Sequence, residues 1–494
     1  MNLSAPFFVL TALAPTAMLL RTLLMLGIGL CCTARILEPF PPLSEDPQVR
    51  ADPTVLPASS RVAAKAAAAS VYDGVVVMSS GAVAGSSTLD DDEVALYQTV
   101  AVAVNKSVIN RWAHPTCAPD SFAYLQDDGS IVIPCSSTNG TRILRMAWSG
   151  QVLWDWSFDP SRAGGTGLPD EGHRPWSQTH DVEIMPNGNI LVLAGETWNA
   201  SELGALGRAP ELLDQPTAQV PVVYEIAPQG AANATFVWRW RWADRFAQNR
   251  SRATAAAAAT FVPDLSLVPE RIDLNLVATL GNSFEHPNAI DYNPALRQVA
   301  VSSRTLNEIF VFEHTPTTAQ ASARVGGRYG RGGDFLYRWG NPQNYGRGGP
   351  EAQQTWYQHS VNWIEPGMPG AGHLILYNDG AYPGPDGHRN FTSGRSAAIE
   401  IAPPILPNGS YAAPAAGQPF GPERPAWEFS GNETFSFYSY IQGGAFRLPN
   451  GNTFLTAPGA DGRVFEVSAA GEVVWVMNST AVRCMKWPAS YVPV

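Results

Sequence analysis

The chain of 494 residues carries a formal net charge of −11, and 45% of its residues are hydrophobic, including 15 tryptophans. An apolar content of this size excludes a wholly disordered protein. No run of lysine and arginine exceeds two adjacent residues, so the basic footprint that nucleic-acid binding requires is missing and that function is excluded.

The N-terminal segment is predicted to be a targeting sequence. Residues 5–34 are apolar except for one arginine and a few hydroxyl residues, and the small residues Cys32 and Ala34 suit cleavage after Ala34. Because the segment is long enough to span a bilayer, an uncleaved anchor is the alternative. We therefore predict that residues 1–34 are a signal peptide or membrane anchor, that the protein is secreted or lumenal, and that it contacts a membrane only if this leader is retained. Residues 35–70, rich in Pro, Ala and Ser, are predicted to be a linker.

Glycosylation sequons are frequent after the leader. Chance on this composition would give roughly three N-x-S/T sequons, whereas residues 35–494 contain nine. They begin at Asn105, Asn139, Asn199, Asn233, Asn249, Asn390, Asn408, Asn432 and Asn478. The excess predicts a glycosylated, exported protein.

Cysteine is sparse in the part of the chain that follows the leader. Only Cys117, Cys135 and Cys484 remain there. Cys117 and Cys135 bracket one predicted strand turn and could form a disulfide, which would leave Cys484 unpaired. Three unpaired, buried cysteines are the alternative.

From about residue 71 onward, one pattern recurs along the chain. A turn of the type Pro-Asn-Gly-Asn opens an apolar strand, a second strand ends in Glu-Val or Glu-Ile, and a glycine turn precedes a strand that carries tryptophan. The clearest copy occupies residues 448–476, and earlier copies occupy 185–240 and 128–156. Asn-Gly turns supply the positive φ that tight hairpins need, so each copy is predicted to be a small antiparallel sheet.

This repeat predicts an all-β, six-bladed β-propeller with four-stranded blades over residues 71–494. The units lie near residues 71–113, 115–160, 180–246, 286–343, 359–432 and 439–478. Five or seven blades remain alternatives, and two stacked β-sandwiches would not explain the recurring strand with tryptophan. The Ala/Pro-rich segments 199–220, 247–270 and 403–425 are predicted to project as surface loops.

Three of the eight histidines stand at equivalent points of the repeat. His180, His286 and His359 each lie at the start of a predicted innermost strand, so a propeller would bring them together at one mouth of its channel. Arg304 ends the apolar strand that follows His286. Histidines and an arginine without a matching carboxylate cluster indicate an anion site, since guanidinium suits a tetrahedral oxyanion and imidazole can act as nucleophile, acid or base.

The sequences around these residues resemble the aryl-sulfate sulfotransferase family, a group of secreted six-bladed propellers. The resemblance covers roughly residues 115–480. It is carried by four strings together: THDVEIMPNGNILVLAGE from Thr179, EHPNAIDYNPALRQVAVSSR from Glu285, YRWGNPQNYGRGGPEAQQTWYQHSVNWIEPGMPGAGHLILYNDG from Tyr337, and GGAFRLPNGNTFLTAPGADGRVFEV from Gly443.

The resemblance implies transfer of a sulfuryl group from a phenolic sulfate ester to a phenolic acceptor, with no cofactor and no nucleotide sulfate donor. By motif, His359 resembles the histidine that becomes transiently sulfated. His180, His286 and Arg304 resemble the residues that hold the sulfate oxygens and shuttle the proton. Asn288 is expected to assist substrate binding through hydrogen bonds. The sequence departs from the family's usual His-Asp at Ser360.

Two other functions compete with this hypothesis. Three histidines could bind a divalent metal for hydrolysis, as in lactonase-type propellers, although Arg304 in the cluster argues against a bound cation. A non-catalytic glycoprotein that uses the propeller as a binding surface is the other alternative, and Ser360 keeps it open. Metal dependence of activity would separate the two enzymes.

Overall fold

The computed structural model describes residues 70–80, 98–114, 117–119, 123–136, 141–158, 176–213, 215–249, 261–262, 264–276, 286–382, 394–459 and 462–493. The predicted leader, residues 1–34, lies outside the described residues. So does the predicted linker, apart from its last residue, Ser70.

The strands form six antiparallel sheets of about four strands each, which are the blades of a six-bladed β-propeller. Blade 1 contains β1 (Gly74–Ser80), β2 (Gln98–Val102) and β3 (Val108–Ala113). Blade 2 contains β4 (Ala118–Pro119), β5 (Tyr124–Leu125), β6 (Ile131–Ser136), β7 (Thr141–Met146) and β8 (Val152–Phe158). Blade 3 contains β9 (Trp176–Ile184), β10 (Ile190–Asn199), β11 (Thr217–Gln229) and β12 (Asn233–Arg241).

A small parallel sheet separates blades 3 and 4 in the chain; it contains β13 (Phe246–Asn249), β14 (Phe261–Val262) and β15 (Ile272–Asp273). Blade 4 contains β16 (Pro287–Asn293), β17 (Gln298–Ser303), β18 (Glu308–Glu313) and β19 (Phe335–Trp339). Blade 5 contains β20 (His359–Trp363), β21 (Leu374–Asn378), β22 (Ala397–Ile401) and β23 (Trp427–Phe429). Blade 6 contains β24 (Gly444–Arg447), β25 (Thr453–Ala457), β26 (Arg463–Val467) and β27 (Val473–Asn478). The prediction of an all-β, six-bladed propeller is confirmed.

Helices are few and short in the described part of the chain. The α-helices are α1 (Ala200–Ala205) and α2 (Thr318–Ser322). Single turns of 3₁₀-helix occur at Pro210–Leu212, Trp242–Arg245, Leu265–Leu267, Pro342–Tyr345, Pro350–Ala352 and Ala489–Tyr491. Among the described residues, none of the helices has the length and apolar character that crossing a bilayer would need.

The chain closes its ring with a strand from its C-terminus. β28 (Met485–Pro488) pairs antiparallel with β1 and becomes the innermost strand of blade 1. A buried ion pair anchors this closure, because Lys486 Nζ lies 2.7 Å from Glu466 Oε2 and both side chains are fully buried. The other carboxylate oxygen of Glu466 accepts a hydrogen bond of 2.7 Å from the backbone amide of Tyr72. Glu466 of blade 6 is therefore bonded both to the C-terminal strand β28 and to the residues just before β1.

The recurring tryptophan of the fourth strand joins each blade to the next. Its indole N–H donates to the following blade all the way round the ring. These bonds join Trp112 to the carbonyl of Ala147, Trp154 to that of Asn233, Trp240 to that of Gly333, Trp339 to that of Pro422, Trp427 to that of Ala469 and Trp475 to that of Val104. A buried indole needs such a partner, so this contact explains why each repeat carries tryptophan at this point.

Segment 199–220 differs from the surface loop predicted for it. β10 and β11 continue to pair as far as Asn199 and Thr217, and the hairpin ends in α1. The Asn199 side chain accepts from the backbone amide of Glu202, whose carboxylate accepts from the Asn199 amide, so a capping box starts the helix.

The cysteines and sequons outside the leader occupy distinct environments. Cys117 and Cys135 form a disulfide, and Cys484 is free and buried. The sequon asparagines whose side chains the structure describes are all exposed. They are Asn105, Asn199, Asn233, Asn408, Asn432 and Asn478.

Candidate functional site

The three histidines enter the channel from the innermost strands of three consecutive blades. His180 lies within β9, His286 directly precedes β16, and His359 is the first residue of β20. Each strand shifts its register against its neighbour at this point, as expected where an extra residue is inserted. The repeat therefore places the histidines at one level of the channel.

The backbone is strained at the same level. His180 has a φ of 57° and His286 a φ of 43°, while in blade 5 the residue after the histidine, Ser360, has a φ of 60°. Side chains with a Cβ rarely adopt these values, and such strain is concentrated at functional sites. In each of these blades, the register shift of the innermost strand therefore coincides with a positive φ at the histidine or at the residue after it.

His180, His286 and His359 are close enough to influence one another. The rings of His180 and His286 lie edge to face with their centroids 4.7 Å apart. Burial lowers the pKa of His286 well below 6.5, and the neighbouring His180 and Arg304 lower it further. The Nδ1 atom of His180 lies 2.6 Å from the hydroxyl of Thr179.

His359 is the most enclosed histidine of the cluster, with only 2% of its surface exposed. Burial lowers the pKa of His359 well below 6.5, and the charges of Arg304 and of the other two histidines act in the same direction. The unprotonated imidazole is therefore its resting form near neutral pH. This form has a lone pair and can act as a nucleophile.

Asp379 holds one edge of the His359 ring. Its Oδ1 atom lies 2.9 Å from Nδ1 of His359, and Asp379 is fully buried directly after β21. Burial raises the pKa of the Asp379 carboxyl well above its usual 3.8, and the positive charge of Arg304 opposes this shift and favours the ionised form. When the carboxylate accepts the Nδ1 proton, the Nε2 atom of His359 is left unprotonated.

Arg304 contributes the positive charge of the cluster. Its backbone amide donates to the carbonyl of His286 over 3.1 Å, which fixes the start of the side chain beside that histidine. The guanidinium lies over the ring of Tyr357, 5.6 Å from its centroid. Its Nε atom is buried and has no hydrogen-bond partner among the described residues. A buried guanidinium N–H without an acceptor favours a bound anion.

Asn288 is bonded to the residue that precedes His359. Its Nδ2 donates to the carbonyl of Gln358 over 2.8 Å, and its Oδ1 accepts from the hydroxyl of Ser302 over 2.5 Å. Since both ends of the buried amide are bonded to protein, Asn288 holds the residue that precedes His359 in place.

Two residues at this site were missed by sequence reasoning, Asp379 and Arg483. Asp379 stands in the string Asn378-Asp379-Gly380 at the end of an apolar strand, a signal that could have drawn attention to it. Arg483 is buried and lies 2.8 Å from a carboxylate oxygen of Asp181, the residue after His180. The residue after His359 is Ser360 and carries no carboxylate. The carboxylate beside His359 belongs instead to Asp379, which directly follows the neighbouring strand β21.

The arrangement suits an anion better than a metal ion. Among the described residues, no group of three or more His, Cys, Asp or Glu side chains is arranged to hold a metal. The histidine cluster instead combines a guanidinium, two imidazoles whose pKa is lowered, those of His286 and His359, and one carboxyl group that is already bonded to His359. This combination can hold an oxyanion and carry out nucleophilic or proton-transfer chemistry.

Comparisons with known proteins found distant structural similarity and no match to a family model or a curated protein. A protein of unknown function from Bacteroides caccae is 10% identical, with a TM-score of 0.43 over 84% of this chain and 99% of its own. The periplasmic gluconolactonase of Pseudomonas aeruginosa is 12% identical, with a TM-score of 0.35 over 85% of this chain and 100% of its own. The β-propeller domain of Cps50 from Myceliophteria thermophila is 9% identical, with a TM-score of 0.37 over 77% of this chain and 82% of its own.

Proposed function

We propose that the protein transfers a sulfuryl group from a phenolic sulfate ester to a phenolic acceptor, and that His359 is the nucleophile. The proposal depends on the groups that surround His359. An unprotonated, buried imidazole is held at Nδ1 by Asp379 and stands beside Arg304, whose Nε atom has no partner in the described structure. A nucleophile with an orienting carboxylate and a free oxyanion donor is what a covalent transfer mechanism requires.

In the first half of the reaction, the lone pair on Nε2 of His359 attacks the sulfur of the ester. The bond between sulfur and the phenolic oxygen breaks, and its electron pair leaves on that oxygen. Nδ1 keeps its proton, so the sulfated ring carries a positive charge that the Asp379 carboxylate stabilises. Arg304 donates to the sulfate oxygens, because a planar guanidinium can make two parallel bonds with them.

The His180 and His286 pair is suited to protonating the leaving phenolate. In the free protein the pKa of His286 is lowered, by burial first and then by His180 and Arg304. A bound sulfate ester is an anion, and an anion nearby favours the protonated imidazole. The pair therefore takes up a proton as the donor binds and passes it to the phenolate.

The second half reverses these steps with the acceptor. The acceptor phenol gives its proton to the same histidine pair, and its oxygen attacks the sulfur. The bond between Nε2 and sulfur breaks and its electrons return to the ring of His359. One phenol and one sulfate ester enter, and one of each leaves, so no cofactor is consumed.

An exported protein is part of this proposal. The apolar leader, the exposed sequon asparagines and the Cys117–Cys135 disulfide support it, because disulfides persist in oxidising compartments.

The test is turnover of a chromogenic aryl sulfate in the presence and absence of a phenol. The proposal predicts release of the chromophore that is strongly stimulated by the phenol, formation of the sulfated phenol, and no effect of a metal chelator. His359→Ala should abolish both products. The matched control is His373→Ala in the same blade, which also removes a histidine with Nδ1 bonded to a carboxylate, at 2.6 Å from Glu400.

His373→Ala should leave turnover unchanged, because that histidine is partly exposed and outside the cluster. A wild-type protein that is inactive on a broad panel of aryl sulfates would contradict the proposal and favour a binding module. Activity that a chelator abolishes would favour a metal-dependent hydrolase.

A further inference from the structure

A second site lies at the opposite mouth of the channel. A cavity of about 710 Å³ is lined by residues from the far ends of the innermost strands, among them Met185, Asp291, Glu365 and Arg447. In blades 3 to 5 these residues come after the histidines along the innermost strands: His180 lies in the middle of β9, His286 directly precedes β16 and His359 begins β20. Because the innermost strands run in one direction along the channel, the cavity and the histidine cluster open on opposite sides. A cavity of this volume suits a small organic molecule.

A polar layer separates this cavity from the histidines. Asp181 and Ser360 directly follow His180 and His359 and line the inner end of the cavity. There, Asp181 is bonded to Arg483 over 2.8 Å and accepts a hydrogen bond from the hydroxyl of Tyr124. The Asp181 carboxylate is therefore already bonded to Arg483 and Tyr124, and this layer lies between the cavity and the histidines.

The cavity contains three carboxyl groups that have no cationic partner among the described residues. Glu183, Asp291 and Glu365 line it, and the side-chain carboxyl of neither Glu183 nor Glu365 makes a hydrogen bond or ion pair with another described residue. The arginines that line the cavity are each paired with a different carboxylate. These pairs are Arg145 with Asp128, Arg447 with Glu400 and Arg483 with Asp181.

Burial and neighbouring carboxyl groups oppose the ionisation of Glu183 and Asp291. Burial, followed by the charges of Asp291, Asp181 and Glu365, raises the pKa of Glu183. Burial also raises the pKa of Asp291 to about 7, with a further contribution from Glu365. A cation placed among them would relieve this repulsion.

The remaining lining determines what kind of cation fits. Aromatic side chains form much of the wall: Tyr124, Trp154, Trp363, Phe446, Trp487 and Tyr491. Aromatic faces attract organic cations. The hydroxyl of Ser360 and the indole N–H of Trp363 are buried, with 2% and 4% of each residue exposed, and neither has a hydrogen-bond partner among the described residues. A bare metal ion would leave them unpaired, and the described carboxylates are not grouped closely enough to coordinate one.

We infer that this cavity binds an organic ammonium compound whose aromatic body carries a neutral oxygen. The ammonium group lies among Glu183, Asp291 and Glu365, the aromatic body lies against the tryptophans, and the oxygen meets the free hydroxyl and indole groups. This inference does not depend on sulfuryl transfer at the histidines.

The experiment is calorimetric titration of the full-length protein with 2-(4-methoxyphenyl)ethylamine, which has an ammonium group, an aromatic ring and an ether oxygen but no phenol. The neutral comparison ligand is 4-ethylanisole, which lacks the amine. The amine should bind at least about tenfold more tightly than the neutral ligand, because only the amine can pair with the carboxylates. His359→Ala should not change this affinity, which separates the result from events at the histidines.

Two variants locate the site. Glu183→Gln should weaken binding of the amine by about tenfold and leave that of 4-ethylanisole unchanged. Glu365→Gln changes an exposed side chain, so we expect it to leave folding intact and to weaken binding of the amine as well. The control is Glu472→Gln, an exposed glutamate on the outer edge of blade 6, which should have no effect. Equal binding of the two ligands, unchanged binding in both cavity variants, or binding of Ca²⁺ alone that Glu365→Gln abolishes would each overturn the inference.

Discussion

Nδ1 of His359 lies 2.9 Å from Oδ1 of Asp379, and both side chains are shielded from solvent. The carboxylate selects the ring orientation and the tautomer in which Nε2 is free. It also stabilises the positive charge that the ring acquires when Nε2 forms a bond. Asp379 is therefore a positioning residue of the proposed reaction.

Asp379→Asn should lower kcat by about 10²–10⁴ with little change in KM, because an amide can hold the ring in the wrong tautomer and cannot stabilise the charge. The measurement is steady-state kinetics with a chromogenic aryl sulfate, together with the thermal unfolding midpoint. Asp155→Asn serves as the control, since Asp155 pairs with Arg142 on the outer strands of blade 2 and is partly exposed. An Asp379→Asn enzyme with wild-type kcat would show that the pair has no role in the chemistry.

Arg304→Lys should give a folded protein whose kcat/KM for the donor is about 10²–10³ lower, because one ammonium cannot reproduce a two-point guanidinium contact with sulfate. The matched control is Arg328→Lys. Arg328 also lies over a tyrosine, 5.6 Å from the centroid of Tyr329, but it is exposed on the outside of the propeller. If both variants keep full activity, Arg304 does not hold the donor.

Asp291 should make stability depend on pH. Its folded-state pKa is raised to about 7, by burial first, so the stabilising contribution of its protonated form is lost as pH rises from about 4 to about 7. Asp291→Asn should therefore gain stability relative to the wild type between pH 5 and pH 8, by an amount of the order of 2 kcal/mol. Urea unfolding at the two pH values measures the difference.

The control for this pH effect is Asp128→Asn. Hydrogen bonds from Ser130 and the charge of Arg145 outweigh partial burial and lower the pKa of Asp128. Asp128 is therefore ionised in both the folded and unfolded states over this range, so its substitution should change stability equally at pH 5 and pH 8. A pH-independent effect of Asp291→Asn would contradict the assignment.

Lys486→Met should destabilise the propeller by about 3–5 kcal/mol, because it leaves the buried carboxylate of Glu466 without its counter-ion at the closure of the ring. The double variant Lys486→Met with Glu466→Gln should recover much of the loss, since the amide oxygen can still accept from Tyr72. Chemical unfolding measures both. A single variant as stable as the wild type would show that this pair does not secure the closure.

The sequence allowed the six blades and the level of the histidines to be predicted because both follow from local patterns that recur. Asn-Gly turns, short apolar strands and a tryptophan in the fourth strand occur in copy after copy, and His180, His286 and His359 occupy the same point of the unit. The turn glycines Gly188 and Gly451 have φ values of 83° and 86°, as those turns require.

What the sequence did not allow to be predicted depends on contacts between distant segments. β28 lacks the turn pattern of the repeat, and its partner β1 lies some 400 residues earlier, at Gly74–Ser80. Asp379 meets His359 only because of the register between β20 and β21, in which His359 pairs with Tyr377. The lining of the cavity at the opposite mouth likewise comes from all six blades, so no single sequence motif predicts it.

The most direct test of the central claim is intact-mass spectrometry after brief exposure to an aryl sulfate without acceptor. The account predicts addition of one sulfuryl group, located by peptide mapping at His359, which disappears when a phenol is added and the sulfated phenol forms. His359→Ala should show no adduct, whereas His373→Ala should show the wild-type adduct. An active enzyme that never acquires the adduct, or that carries it on another residue, would contradict the covalent role of His359.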